Sequence, residues 1–167
     1  MLPFSAGFRA TVAFALGISA LLAQGQSDLP TRSILKRAEV EYLFPEQVTV
    51  PAGKPTVVVL HFRIAQGLHI NSHTPKDEFL IPATLSIREG AGVRMLDATY
   101  PVGTDFTLPL DPNHKLSVYT GEFVIQARIV AEAGDHLVEA KLRFQACDKN
   151  ACMPPKTIPL AIDVIGR

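Results

Sequence analysis

The sequence predicts an all-β chain folded as an antiparallel β-sandwich, and three observations predict it. From Ala38 onward, about eight or nine short segments carry alternating or β-branched apolar residues. Turn residues separate them at fairly regular spacing, among them Pro51-Ala52-Gly53, Glu89-Gly90-Ala91-Gly92 and Ala133-Gly134-Asp135. No stretch after the amino-terminal leader shows the period of an amphipathic helix.

Residues 1 to 25 read as an export signal. Arg9 supplies positive charge, and Thr11 to Ala23 is an apolar run of 13 residues, too short to span a bilayer. Ala23-Gln24-Gly25 places small residues where a signal peptidase reads, so cleavage before Gln26 is expected, with cleavage after Ala23 as the alternative. The nearest cysteine lies far downstream, which argues against a lipid anchor, and no later run reaches membrane-spanning length. Residues 26–37 are polar and aperiodic and are expected to form a mobile lead-in. The single domain is expected over 38–167. A content of 47% hydrophobic residues suffices for one sizeable core. The formal charge is zero and becomes minus one when Arg9 leaves with the leader, with no basic stripe, so neither nucleic acid nor an anionic membrane is an expected partner.

Within the domain, Val40, Tyr42 and Phe44 begin the first strand, and Pro45 separates it from Gln47 to Val50. Thr56 to Ile64 is the strongest strand, β-branched and apolar on both faces at its start, hence central in a sheet. Gly67 to His73 puts His69, Asn71 and His73 on one face if extended; two imidazoles there suit either a metal or polar contacts at a strand end, but spacing supplies no third ligand. Thr74 to Phe79 reads as a loop, Leu80 to Ile87 as a strand interrupted by Pro82, and Val93 to Tyr100 as a further short strand. Pro101 to Lys115 holds three prolines and no period, so it reads as a long loop; Phe106, Leu108 and Leu110 argue that it folds over something as a lid. Leu116 to Val130 alternates cleanly after Gly121, which marks a bulge or close approach. Leu137 to Ala146 and Thr157 to Ile165 are the last two strands.

Between those two strands lie both cysteines, in Phe144-Gln145-Ala146-Cys147-Asp148-Lys149-Asn150-Ala151-Cys152-Met153-Pro154-Pro155-Lys156-Thr157. Asp and Asn are good turn residues, and an oxidising compartment favours a bond between thiols within reach, so Cys147 and Cys152 are expected to form a short-range disulfide. Closing so short a loop gives only about 2 kcal/mol, less than a longer loop would. Spacing leaves both a structural clip and a reactive pair open. A reactive thiolate needs a pKa near ambient pH; Lys149 and Lys156 are the cations that would lower it, with Asp148 opposing them. Pro154 and Pro155 stiffen the hairpin exit and remove backbone donors at the sheet edge.

The Phe-Gln-Ala-Cys, turn, Cys-Met-Pro-Pro-Lys-Thr, Ile-Pro-Leu pattern resembles the cysteine hairpin of the amino-terminal domain of the periplasmic thiol:disulfide interchange protein DsbD family. Weaker support comes from His69-Ile70-Asn71-Ser72, Phe79-Leu80-Ile81-Pro82 and Leu116 to Glu122, and the resemblance runs from about Ala38 to the end. It implies an immunoglobulin-like antiparallel β-sandwich located in the periplasm. It also implies a relay of electrons from the Cys147/Cys152 pair to thioredoxin-fold proteins, disulfide isomerases or cytochrome c maturation factors, with no cofactor other than the disulfide. Carried over by position, Cys152 forms the mixed disulfide and Cys147 resolves it. The family's aromatic cap would fall within Gly103 to Lys115, with Phe106 the capping group and Leu108 and Leu110 beside it; Asp77-Glu78-Phe79 resembles a cap sequence but lies too early. Family proteins continue into a membrane carrier, whereas this chain ends at Arg167. A separate membrane electron donor is therefore expected, or else another use of the domain. The competing expectation is a secreted, non-enzymatic binding module whose disulfide only clips a hairpin.

Overall fold

The computed structural model of the protein describes residues 38–167 apart from Glu89, Ala91 and Leu110. The expected signal segment and lead-in lie outside the described residues. Twelve strands are described, in the order β1 (Val40–Phe44), β2 (Gln47–Val50), β3 (Thr56–Ile64), β4 (His69–Asn71), β5 (Thr84–Ile87), β6 (Val93–Thr99), β7 (Thr104–Leu108), β8 (Asp111–Tyr119), β9 (Glu122–Ala131), β10 (Gly134–Phe144), β11 (Ala146–Cys147) and β12 (Lys156–Gly166). They form three four-stranded sheets, ordered β1-β3-β9-β6, β2-β12-β10-β5 and β11-β4-β8-β7.

The first two sheets make an immunoglobulin-like sandwich. Side chains alternate across a strand, so β10 and β12 each bury every second residue: Val138, Ala140, Leu142 and Phe144 on one, Leu160, Ile162 and Val164 on the other. They face Val58, Leu60 and Phe62 of β3 and Ile125, Ala127 and Ile129 of β9 in one apolar core. Residues of both sheets line the same small internal cavity, which confirms the face-to-face packing. Pairings are antiparallel except that of β2 with β12, which is parallel.

The third sheet differs from the sequence expectation. Pro101 to Lys115 is not a structureless loop: β7 and β8 form a hairpin, with Phe106 opposite Leu116. Prolines at 101, 109 and 112 hide the period, yet the fold tolerates Pro112. The pairing of β8 with β4 involves only Tyr119 and Val118, so the early part of β8 has a partner on one side only. Two smaller expectations change as well. The strand expected from Leu80 begins only at Thr84, after Pro82, and Gly121 is neither bulge nor close approach but the left-handed turn residue (φ 63°) between β8 and β9.

Candidate functional site

The site forms where β10 leaves the sandwich. After Phe144 the chain passes Gln145 and enters β11, whose Ala146 and Cys147 pair with Ile70 and His69 of β4. A turn follows in which the Asp148 carboxylate accepts N–H bonds from Asn150 (2.7 Å) and Ala151 (2.8 Å), the local side-chain bonding that makes Asp a turn residue. The Asp148 and Met153 N–H groups donate to the Ala151 and Ala146 carbonyls on either side of the cysteine pair. Cys147 and Cys152 therefore lie opposite one another and are joined by a disulfide, with Cα atoms 3.9 Å apart. Their surroundings differ: Cys147 is 1% exposed, whereas Cys152 lies at the surface.

Two amides hold the hairpin in place. Asn71 Nδ2 donates to Gln145 Oε1 (3.2 Å) and to the Ile81 carbonyl (3.1 Å), and Gln145 Nε2 donates to the Met153 carbonyl (3.2 Å). Gln145, half-buried, thus ties the segment after Cys152 to β4. Sequence pattern placed Asn71 on the same face as His69 but carried no signal pairing it with Gln145, because nothing local links β4 to β11.

His69, opposite Cys147, is 2% exposed. Its ring packs against Phe106 at a centroid distance of 4.1 Å. Burial lowers its pKa from the usual imidazole value, with Asp148 pulling the other way. Asp148 itself is held below the ordinary carboxylate range by the two turn N–H bonds, aided by His69 and Lys149. Among the described residues Nε2 of His69 is buried without a hydrogen-bond partner.

Phe106 thus lies on the residue opposite Cys147, and Leu108 follows it two residues on, also half-buried; Leu110 lies outside the described residues. The β7–β8 hairpin is fastened at its flank: Asp105 pairs with Lys76 (2.6 Å) and Lys115 (3.3 Å), and His114 Nε2 is 2.7 Å from Asp77 Oδ2. The Asp77-Glu78-Phe79 string therefore tethers the hairpin through Asp77, while the Phe79 ring is 86% exposed. Lys149 is exposed and, with His69 and Phe106, lines an open groove of about 590 Å³. Lys156 instead pairs with the buried carboxylate of Glu39. That ion pair was not foreseen, because the two residues are far apart in sequence. His73 lies past the end of β4, stacked on Tyr100 (3.7 Å between centroids) with Nδ1 2.9 Å from the Ala83 carbonyl. Among the described residues no group of three or more His, Cys, Asp or Glu side chains converges as a metal site.

A family model described as the N-terminal region of thiol:disulfide interchange protein DsbD matches residues 39–162. A crystal structure of the N-terminal periplasmic domain of ScsB from Proteus mirabilis is 15% identical and superposes with a TM-score of 0.50, covering 74% of this chain and 44% of that one. The reduced DsbD n-terminal domain of Neisseria meningitidis is 17% identical at a TM-score of 0.47, covering 69% and 82%. Among curated proteins, large ribosomal subunit protein bL25 of Xylella fastidiosa is 31% identical over 84 residues; these make up 49% of this chain, and the match spans only 39% of that protein's length.

Proposed function

Since the chain belongs to the family of DsbD amino-terminal domains, we propose that it is an exported, periplasmic thiol–disulfide exchange domain that relays electrons through Cys147 and Cys152. The observation that carries this reading is the unequal exposure of the two cysteines, one buried and one at the surface of a short hairpin. Attack on a partner's disulfide needs a reachable thiolate, and Cys152 is the reachable one. Closing the intramolecular bond needs a second thiol already in place, and Cys147 is held there by β4. In the reduced domain, Cys152 attacks a disulfide of a periplasmic thioredoxin-fold protein, of the disulfide isomerase or cytochrome c maturation type, and becomes joined to one of its sulfurs. Cys147 then attacks Cys152, the intramolecular disulfide forms, and the partner leaves as a dithiol. A separate membrane protein re-reduces the pair.

We assign auxiliary roles to the residues around the pair. Lys149, exposed beside the groove, favours the thiolate, whereas Lys156 is engaged by Glu39 and acts by fixing the hairpin exit. Phe106 and Leu108, on a hairpin fastened by ion pairs, form the cap that limits adventitious exchange until a partner displaces it. The test is a trapping experiment. Cys147→Ala protein, reduced and mixed with oxidised thioredoxin-fold proteins of the periplasm, should accumulate a disulfide-linked complex through Cys152. Cys152→Ala should give none, and equal trapping by both variants, or by neither, would overturn the assignment.

A further inference from the structure

Four observations converge on a residue that the exchange scheme above leaves unused. His69 lies directly opposite Cys147 in the β4–β11 ladder. The N–H bond from Asn71 to the Gln145 carbonyl marks the position two residues away as a hydrogen-bonded pair. By the alternation of an antiparallel ladder, His69 and Cys147 are the next such pair, with side chains on the same face. Both residues are buried, at 2% and 1% exposure. The imidazole is roofed by the Phe106 ring, and its Nε2 is buried without a partner among the described residues. An unpaired buried nitrogen is costly in this state, and a catalytic role in another state of the molecule accounts for its being kept. Here the other state is the reduced one, since a disulfide sulfur has no proton to donate and a thiol has one.

We propose that His69 is the catalytic proton acceptor for the Cys147 thiol in the resolving step. The inference rests on the assignment of Cys152 as the attacking thiol and Cys147 as the resolving one. In the mixed disulfide, Cys152 Sγ is bonded to the partner's sulfur and Cys147 carries S–H. The proton passes to the ring nitrogen of His69, and the Cys147 thiolate attacks Cys152 Sγ. The Cys147–Cys152 bond forms as the bond to the partner breaks, and the electron pair leaves on the partner's sulfur, which takes up a proton from His69 or from water. The cysteine pair is oxidised by two electrons, and the partner's disulfide is reduced to two thiols.

The buried site suits this task. Removal from water disfavours the imidazolium, so the ring rests neutral, and Asp148 offsets part of that cost when the ring takes the proton. The charged groups around it are few. Asp148 acts on it from the hairpin, Lys149 lines the same groove, and Arg63 of β3 and Glu122 of β9 are bonded to each other at 2.9 Å. Phe106 covers one side of a ring that is only 2% exposed, which limits water as a competing proton acceptor.

The test uses the reduced protein and the small aromatic disulfide dithiobis(nitrobenzoate), which releases one coloured thiolate when Cys152 is attacked and a second when Cys147 closes the ring. His69→Gln should leave the first release unchanged and slow the second by about tenfold or more at neutral pH. The pH–rate inflection of the second release should also move. An unchanged second phase would overturn the proposal. Should the variant fold poorly, nitrogen-15 NMR of the wild-type imidazoles decides the matter: His69 should show different ring-nitrogen shifts and a different titration in the oxidised and reduced proteins, and identical behaviour would overturn the proposal. No protein partner is involved. Slow closing in His69→Gln together with failure to trap thioredoxin-fold proteins would sink the relay and keep the proton acceptor; normal closing with successful trapping would do the reverse.

Discussion

The sandwich and the third sheet bury side chains of different kinds. Between the two large sheets the interior is apolar, and β10 and β12 alternate in and out without interruption over their central residues. On β4 and β8, and just beyond β4, the buried set includes His69, Asn71, Ser72 and Ser117. These four account for all but one of the buried polar residues among those described, the exception being Glu39. Two of the three buried polar atoms without partners among the described residues, His69 Nε2 and Asn71 Oδ1, also lie on β4. Apolar burial is non-directional and stabilises wherever it occurs, whereas buried polar groups cost free energy unless paired. The sandwich thus carries stability, and the third sheet uses part of it to hold an imidazole, two amides and a disulfide in fixed positions.

The largest contrast should appear in stability. Leu142→Ala, at a fully buried position facing β3 and β9, should cost about 2–5 kcal/mol. Reducing the disulfide should cost only about 2 kcal/mol, because the loop it closes is short. Denaturant unfolding of the two proteins checks this, and a larger loss on reduction than in Leu142→Ala would mean that the hairpin, not the sandwich, anchors the fold. Next in size is the cap. Phe106→Ala removes a half-buried ring and should cost about 1 kcal/mol, yet it should speed reduction of the pair by small thiols, because the roof over His69 is gone. Unchanged reduction kinetics would separate Phe106 from the redox site. Smallest is the tether. Hydrogen bonds from Lys76 and Lys115 hold the Asp105 carboxyl below the usual range. A depressed folded-state pKa stabilises the fold above the unfolded value, and that contribution disappears as pH falls through the folded one. Asp105→Asn should therefore differ slightly from the parent at neutral pH and match it in acid; a difference that persists in acid would contradict the tether.

The same division decides what could be read from the sequence. Val138 to Phe144 and Leu160 to Val164 announce their strands because one face is buried and the other wet. The cysteine hairpin was legible for a local reason, since Asp148 bonds its own turn. The β7–β8 hairpin was not, because its prolines mask the alternation and its pairing is one-sided. Nor were the Asn71–Gln145 bond and the Lys156–Glu39 pair, which join residues 74 and 117 positions apart through tertiary packing alone. His69 stood out as a histidine on a strand face, but only the β4–β11 register places it opposite Cys147 rather than beside a metal-binding partner.

The central claim is that the Cys147–Cys152 bond is a working redox pair and not a clip. Its reduction potential tests this most directly, measured by equilibrating the protein in graded thiol buffers and trapping free thiols. The exposed Cys152 sulfur leads us to expect a value above roughly −270 mV, in the range of exchange catalysts. A value below about −300 mV would mark a structural bridge and leave the non-enzymatic binding module as the account of this domain.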